Sequence, residues 1–254
     1  MAGSWSRVWL ALLLCGPAVV LGKYYGKLIG DLQSNAHGVK GKVYAANSTT
    51  LQLVDFSYDG SASEAYFAAG TSQGSVFLSD ENGGTASLKR YNKRTFLLPL
   101  PVGTRVTDLD WFGVGPSDLQ STYGSLTVPA GFQAPAPVTL SPLKKRAHNV
   151  GSGPVVIMNH NTIFIPKFTY DGSGPDVYFL VGKGNKPTHK GATKIPTESG
   201  EIKLKAGYKG TDMLLRLPGS ASFTDFDWFS VYCIRFEENF GDVTFPKNMN
   251  LPAV

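Results

Sequence analysis

The sequence predicts an all-β fold made of two similar β-sandwich or small β-barrel domains in tandem. Three observations carry that expectation. Long phrases recur once, at a nearly fixed spacing. No segment keeps a 3.6-residue apolar period for three turns. The chain also has 29 glycines, 16 prolines and 12% aromatic residues, which describes many turns between short, aromatic-rich strands. Two long copies indicate duplication of a whole domain rather than a short solenoid repeat.

The first element is not part of the fold. MAGSWSRVWLALLLCGPAVVLG places Arg7 before an apolar run, Val8 to Cys15, and ends on small Gly22. Residues 1–22 therefore read as a secretory signal peptide. No later stretch reaches the roughly 18 apolar residues of a spanning helix, so no membrane span is expected. Cleavage removes Cys15 and leaves Cys233 unpaired in a chain bound for an oxidising compartment. No internal disulfide is then available, and stability must come from apolar burial.

The first copy is read as residues 23–129 and the second as 143–247. Phe56-Ser57-Tyr58-Asp59-Gly60-Ser61 returns as Phe168-Thr169-Tyr170-Asp171-Gly172-Ser173, an offset of 112 (168 − 56). Tyr66-Phe67 and Gly70 return as Tyr178-Phe179 and Gly182, and His37 corresponds to His148 after a one-residue slip. Further on, Tyr91, Leu97-Leu98 and Asp110-Trp111-Phe112 match Tyr208, Leu214-Leu215 and Asp227-Trp228-Phe229, an offset of 117 (228 − 111). A five-residue insertion between Gly182 and Tyr208, in a surface loop, accounts for the change. Within each copy, Val54 to Tyr58 and Ile163 to Tyr170 read as strands that end at an Asp-Gly turn. Ala65 to Ala69 and Val177 to Gly182 read as the next strands. Asn47-Ser48-Thr49 aligns with Asn159-His160-Asn161 in a turn. Asn47 there heads an N-glycosylation sequon. Residues 130–142, rich in proline and alanine, read as a stiff linker. Lys144-Lys145-Arg146 then reads as a solvated basic start to the second copy.

The phrase TDFDWFSVYCIRF, Thr224 to Phe236, is the most informative. Alternation puts Trp228, Tyr232 and Ile234 on one face of a strand and Phe229, Val231 and Cys233 on the other. Both faces are apolar, as in a strand buried on both sides. Asp225 and Asp227 invite an acid–base reading. They recur as Asp108 and Asp110 in the first copy, however, and suit the turn that leads into a strand. In the first copy Pro116 stands where the second has Cys233, so that strand should end or bulge near Val114.

The run Asp225 to Cys233, with Phe236 and Phe240-Gly241-Asp242-Val243, resembles the closing motif of the DM13 domain. His148, Phe168 to Gly172, Tyr178-Phe179 and Leu214 to Pro218 extend the resemblance upstream. It covers nearly the whole expected mature chain, and the first copy departs from it at the cysteine. DM13 domains occur in extracellular animal proteins such as the Skeletor family. The resemblance implies a β-rich fold and a motif cysteine serving electron transfer, either as a bare thiol or as a haem ligand. Here that cysteine is Cys233. A second haem ligand would come from His148, His160, His189, Met158 or Met213, and no spacing selects among them.

Three roles for Cys233 therefore stand open: an inert buried thiol, an intermolecular disulfide linking a dimer or a partner, and a redox or haem residue. No zinc spacing occurs among one cysteine and four scattered histidines, so no metal site is expected. No nucleophile elbow, P-loop or dinucleotide fingerprint appears, which weighs against an enzyme without deciding the matter. The net charge of +5 matches no nucleic-acid module; such a balance is more often a matter of solubility, and it can also favour an anionic matrix component or an extracellular protein partner. The leading expectation is a secreted, extracellular binding or matrix protein. The alternative is an electron-transfer or oxidative-modification module working through Cys233.

Overall fold

A computed structural model describes residues 24–253, apart from Ser72. The expected signal peptide and Cys15 lie outside the described residues. In the first half the strands are β1 (Lys27–Asp31), β2 (Gln33–Ser34), β3 (Lys40–Ala45), β4 (Thr50–Tyr58), β5 (Tyr66–Thr71), β6 (Gly74–Leu78), β7 (Tyr91–Pro99), β8 (Leu109–Gly115) and β9 (Gly124–Thr127). In the second half they are β10 (Val138–Thr139), β11 (Lys144–Lys145), β12 (Val156–Asn159), β13 (Thr162–Tyr170), β14 (Val177–Gly182), β15 (Thr193–Ile195), β16 (Tyr208–Arg216), β17 (Trp228–Cys233) and β18 (Glu238–Thr244).

The sheets repeat. A four-stranded sheet β1-β3-β4-β7 accompanies a five-stranded sheet β2-β9-β8-β5-β6, and β10-β12-β13-β16 accompanies β11-β18-β17-β14-β15 in the same order. All pairings are antiparallel. Each pair of sheets encloses its own apolar core, one built on Phe56, Phe67 and Phe112 and the other on Phe168, Phe179 and Phe229. The two all-β units expected from the repeat are thus sandwiches. Full burial of each such side chain is worth about 1.5–3 kcal/mol.

The long strands β4 and β13 show how the sequence makes this shape. In β4 the core positions are Leu51 and Leu53, then Phe56 and Tyr58. The alternation slips from odd to even numbers, so one extra residue must be absorbed. The register does shift between Leu53 and Phe56, where Asp55 takes φ 53°. β13 repeats this with Ile163, Ile165, Phe168 and Tyr170 around Lys167 at φ 51°. Each bulge exposes an amide to a side chain on the neighbouring strand: Asp55 N–H donates to Thr95 Oγ1 at 3.2 Å, and Lys167 N–H to Asp212 Oδ1 at 2.8 Å.

The five-residue insertion lies in one loop. Phe67 faces Leu78, eleven residues on, whereas Phe179 faces Ile195, sixteen residues on. The extra length sits between β14 and β15, over residues 183–192. Residues 130–142, read as a linker, carry β10, which pairs with β12, and Leu140 is buried in the second core. The independent stretch is therefore shorter than its proline content suggests. β8 ends at Gly115 beside Pro116, as the missing amide requires.

The chain then turns back. Leu251 is fully buried and Ala253 4% exposed. Ala253 N–H donates to Ala46 O at 2.7 Å, while Pro252 O accepts from His160 N–H at 2.8 Å. Tyr24 donates to Leu251 O at 2.8 Å and stacks on His160 with ring centroids 5.1 Å apart. The tail thereby touches the β3–β4 turn of one sandwich and the β12–β13 turn of the other.

Candidate functional site

β17 is the central strand of its sheet, between β18 and β14. All six of its residues are buried. Phe229, Val231 and Cys233 point into the core between the sheets, while Trp228 and Tyr232 join Leu180 in a separate apolar cluster on the outer side. Cys233 is 0% exposed and unpaired. It lies opposite Val177 and Glu238 at the end of the strand. Ile234 to Glu237 form the turn that follows, so the strand is shorter than the apolar phrase and Phe236 is 62% exposed.

Tyr170 shares that end of the core. Its phenol pKa is raised, first by burial and in smaller part by nearby Asp171 and Cys233. Its hydroxyl accepts from Gly174 N–H at 2.8 Å. Tyr170 stacks with Phe240 at 6.3 Å, and Phe240 lies 4.0 Å from the His148 ring. His148 Nδ1 lies 2.9 Å from Ser173 Oγ and 3.2 Å from Asp171 Oδ2. Burial alone would raise the Asp171 pKa, but hydrogen bonds from Ser173 and His148 outweigh it and hold the carboxyl low. The first sandwich repeats the cluster: His37 Nδ1 lies 2.8 Å from Ser61 Oγ, and Ser61 Oγ donates to Asp59 at 2.6 Å. In both, serine and aspartate crowd the same imidazole nitrogen. A nucleophilic relay needs them on opposite nitrogens.

Asp225 and Asp227 are not a pair. Asp225 Oδ2 accepts from Ser222 N–H at 2.8 Å and caps the turn Phe223–Asp225; Asp108 does the same for Arg105 N–H at 2.9 Å. Asp227 accepts from Gly184 N–H at 2.6 Å and from Lys247 Nζ. The Lys247 bond is the leading cause that holds its carboxyl below the usual range. Trp228 donates to Lys183 O at 3.3 Å. Its ring passes so close to Gly182 that a Cβ there would sit 2.2 Å from it.

Sequence reasoning missed a polar network on the outer side of the sheet. Ser230 donates to Asn239 at 2.9 Å, Asn239 donates to Asp242 at 2.9 Å, and Arg146 donates to the same carboxylate, which is 3% exposed. Arg146, read as part of a solvated basic run, is thus a buried carboxylate's partner. Gly113, Thr122 and Ser125 replace Ser230, Asn239 and Asp242 in the first copy, and that change was the available signal.

The haem expectation does not fit these residues. Cys233 is sealed in a close-packed interior and the named second ligands are dispersed. His148 is held by Asp171 and Ser173, His160 lies against Tyr24, and His189 lies against Tyr232. Met158 is 39% exposed, and Met213 is a core residue. The disulfide-linked dimer meets the same obstacle, because a fully buried thiol is out of reach of a second chain while the sandwich stays closed. Among the described residues no group of three or more His, Cys, Asp or Glu is placed to hold a metal. No helix among them is long and apolar enough to cross a membrane. Asn47 is half-buried in the β3–β4 turn, and its Oδ1 accepts from Thr49 N–H at 2.9 Å.

Two sandwiches of one topology, each closing on an Asp-x-Asp-Trp-Phe strand, define a tandem-repeat protein. The family model described as electron transfer DM13 matches residues 31–128 and 142–245, and the chain belongs to the DM13 family. Among curated proteins, it is 38% identical over 235 residues to Protein Skeletor, isoforms B/C, of Drosophila melanogaster, covering 90% of this chain and 30% of that one. Isoforms D/E match at 38% identity over 90% of this chain and 16% of theirs. The chain thus spans less than a third of the length of these relatives. No solved structure matches it.

Proposed function

We propose that this DM13 protein is a secreted, extracellular, non-enzymatic binding protein of the matrix, glycosylated at Asn47. The 0% exposure of Cys233 is the observation that carries the non-enzymatic reading. A thiol with no path to solvent in the closed sandwich offers no substrate access, and Asp225 and Asp227, at the opposite end of β17, are engaged by Ser222, Gly184 and Lys247. The basic balance of the chain, net +5, supports an anionic extracellular partner. The test is retention of the full chain, produced through the secretory route, on isolated extracellular matrix at physiological ionic strength. Retention that survives about 0.15 M salt supports the reading, and loss under those conditions counts against it.

Electron transfer through Cys233 is the second reading. It is favoured by the family's description and by the aromatic column from Tyr170 through Phe240 to half-exposed His148. It expects Cys233 to be lost as a free thiol when native protein meets a small oxidant such as hexacyanoferrate. A count that stays at one thiol per chain, taken after the oxidant is removed and the protein is denatured, opposes it.

A further inference from the structure

We infer that a groove recurring at the same place in both sandwiches binds an acidic polysaccharide, one bearing sulfate or carboxylate groups. The inference rests on the matrix-binding reading above and names its site. In the second sandwich the groove has a volume of about 1150 Å³ and runs between the end of β13 and the start of β16, with Tyr170, Asp171, Tyr208, Lys209 and Lys145 along it. In the first sandwich a groove of about 200 Å³ is lined by Tyr58, Asp59, Tyr91, Lys40, Arg90 and Lys93. Tyr58, Asp59 and Tyr91 are the duplicates of Tyr170, Asp171 and Tyr208. Lys40 and Lys93 also border an adjoining groove of about 470 Å³, which holds the Lys42–Asp31 pair and Asp55 and is not part of the proposed site.

The difference in size has a sequence cause. Gly207 and Gly210 occupy the positions of Arg90 and Lys93, at the offset of 117 (207 − 90). A Cβ at Gly210 would meet nothing within 4 Å, so that wall is open. The first groove therefore has more charge and less room, and the second has more room and less charge.

The chemistry favours an anion. Lys145 and Lys209 flank the second groove, and Lys40, Arg90 and Lys93 flank the first. Among the described residues none of these five is in an ion pair, whereas Lys42, Arg94, Arg146, Lys203, Lys205 and Lys247 are. The one carboxylate in each groove is engaged: Ser173 N–H and Oγ donate to Asp171, and Ser61 N–H and Oγ donate to Asp59. Each groove is therefore net positive. The form of the groove favours an extended sugar chain. Tyr170 and Tyr91 are buried and Tyr208 half-buried, so no flat aromatic face is offered for stacking bases. No large aliphatic side chain lines either groove to enter a lipid surface.

The experiment uses the full chain and fluorescein-labelled heparin as probe, at physiological salt. Three exposed double variants are compared: K145A/K209A, K40A/K93A, and K183A/K190A on the β14–β15 loop as a charge-matched control. Each groove pair should weaken binding by roughly threefold to tenfold, the worth of one or two exposed ion pairs. The control should change it by less than about twofold. Equal weakening by all three pairs would overturn the assignment, as would competition by uncharged dextran or tighter binding to single-stranded nucleic acid or anionic vesicles. Retention on matrix protein with no heparin binding would overturn the groove while leaving the matrix reading in place. Failure to bind either would remove both.

Discussion

Trp228 and Gly182 explain one another. The indole lies flat on the neighbouring strand and needs a residue without a side chain beneath it, and Trp111 makes the same demand on Gly70. Both glycines sit at the repeat offset and were legible as matches, but their reason is a cross-strand contact that no single stretch displays. G182A should cost about 1–3 kcal/mol through overpacking, read from urea unfolding. Cys233 was legible in a different way. Alternation along β17 put its side chain on the face of Phe229 and Val231, and that face is the core. C233S should lose about 1–3 kcal/mol, because a hydroxyl there finds no partner among apolar neighbours. The variant should keep the same oligomeric state in non-reducing gels; a state that changes with the serine would show an intermolecular bond. Asp225 was readable as a turn residue because its capping partner is three positions away. The partners of Asp227, Lys247 and Gly184, are remote in sequence and were not.

At the scale of elements, the inserted loop over residues 183–192 does more than lengthen a hairpin. Its Lys183 carbonyl takes the Trp228 N–H, Ala192 packs on the outer cluster, and His189 lies against Tyr232. Trp228 is accordingly 2% exposed, while Trp111, beneath the short turn of the first copy, is half-buried. Replacing residues 183–192 with the five residues that occupy the equivalent positions of the first copy, 71–75, should shift tryptophan emission to the red and increase acrylamide quenching without unfolding the sheet. Unchanged emission would mean that the loop is not the cover. The insertion was visible as a change of offset, but its position within 26 residues was not, since only strand register decides it. The bulges in β4 and β13 were hidden in plain view. The apolar alternation slips by one residue in each, and the strand reading of Val54 to Tyr58 ran across the slip.

At the scale of the whole molecule, Leu251 to Ala253 join the two copies, a contact that the repeat could not announce. His160 sits at the junction with an Nδ1 that is buried and unpartnered. Burial pushes its pKa below 6.5, and the backbone of Ala253 and Pro252 opposes that only in part. Among the described residues, the groups facing it are the Tyr24 ring and the backbone of Pro252 and Ala253. A histidine whose folded pKa is depressed contributes fully above its unfolded value near 6.5, and that contribution is lost as pH falls below it. Cleavage near the C-terminus by a protease active at both values should therefore quicken from about pH 7.5 to about pH 5.5, and H160F should remove the dependence. Truncation after Asn248 should cost about 1.5–3 kcal/mol for Leu251 alone and enlarge the particle in solution scattering.

The account as a whole depends on a thiol shut inside the second sandwich, and native-state labelling of Cys233 measures that most directly. With a thiol reagent in excess, the labelling rate should be slower than that of the unfolded chain by several orders of magnitude. It should rise with urea in step with global unfolding. Labelling in native buffer at a rate near that of an exposed cysteine, with no dependence on denaturant, would contradict it.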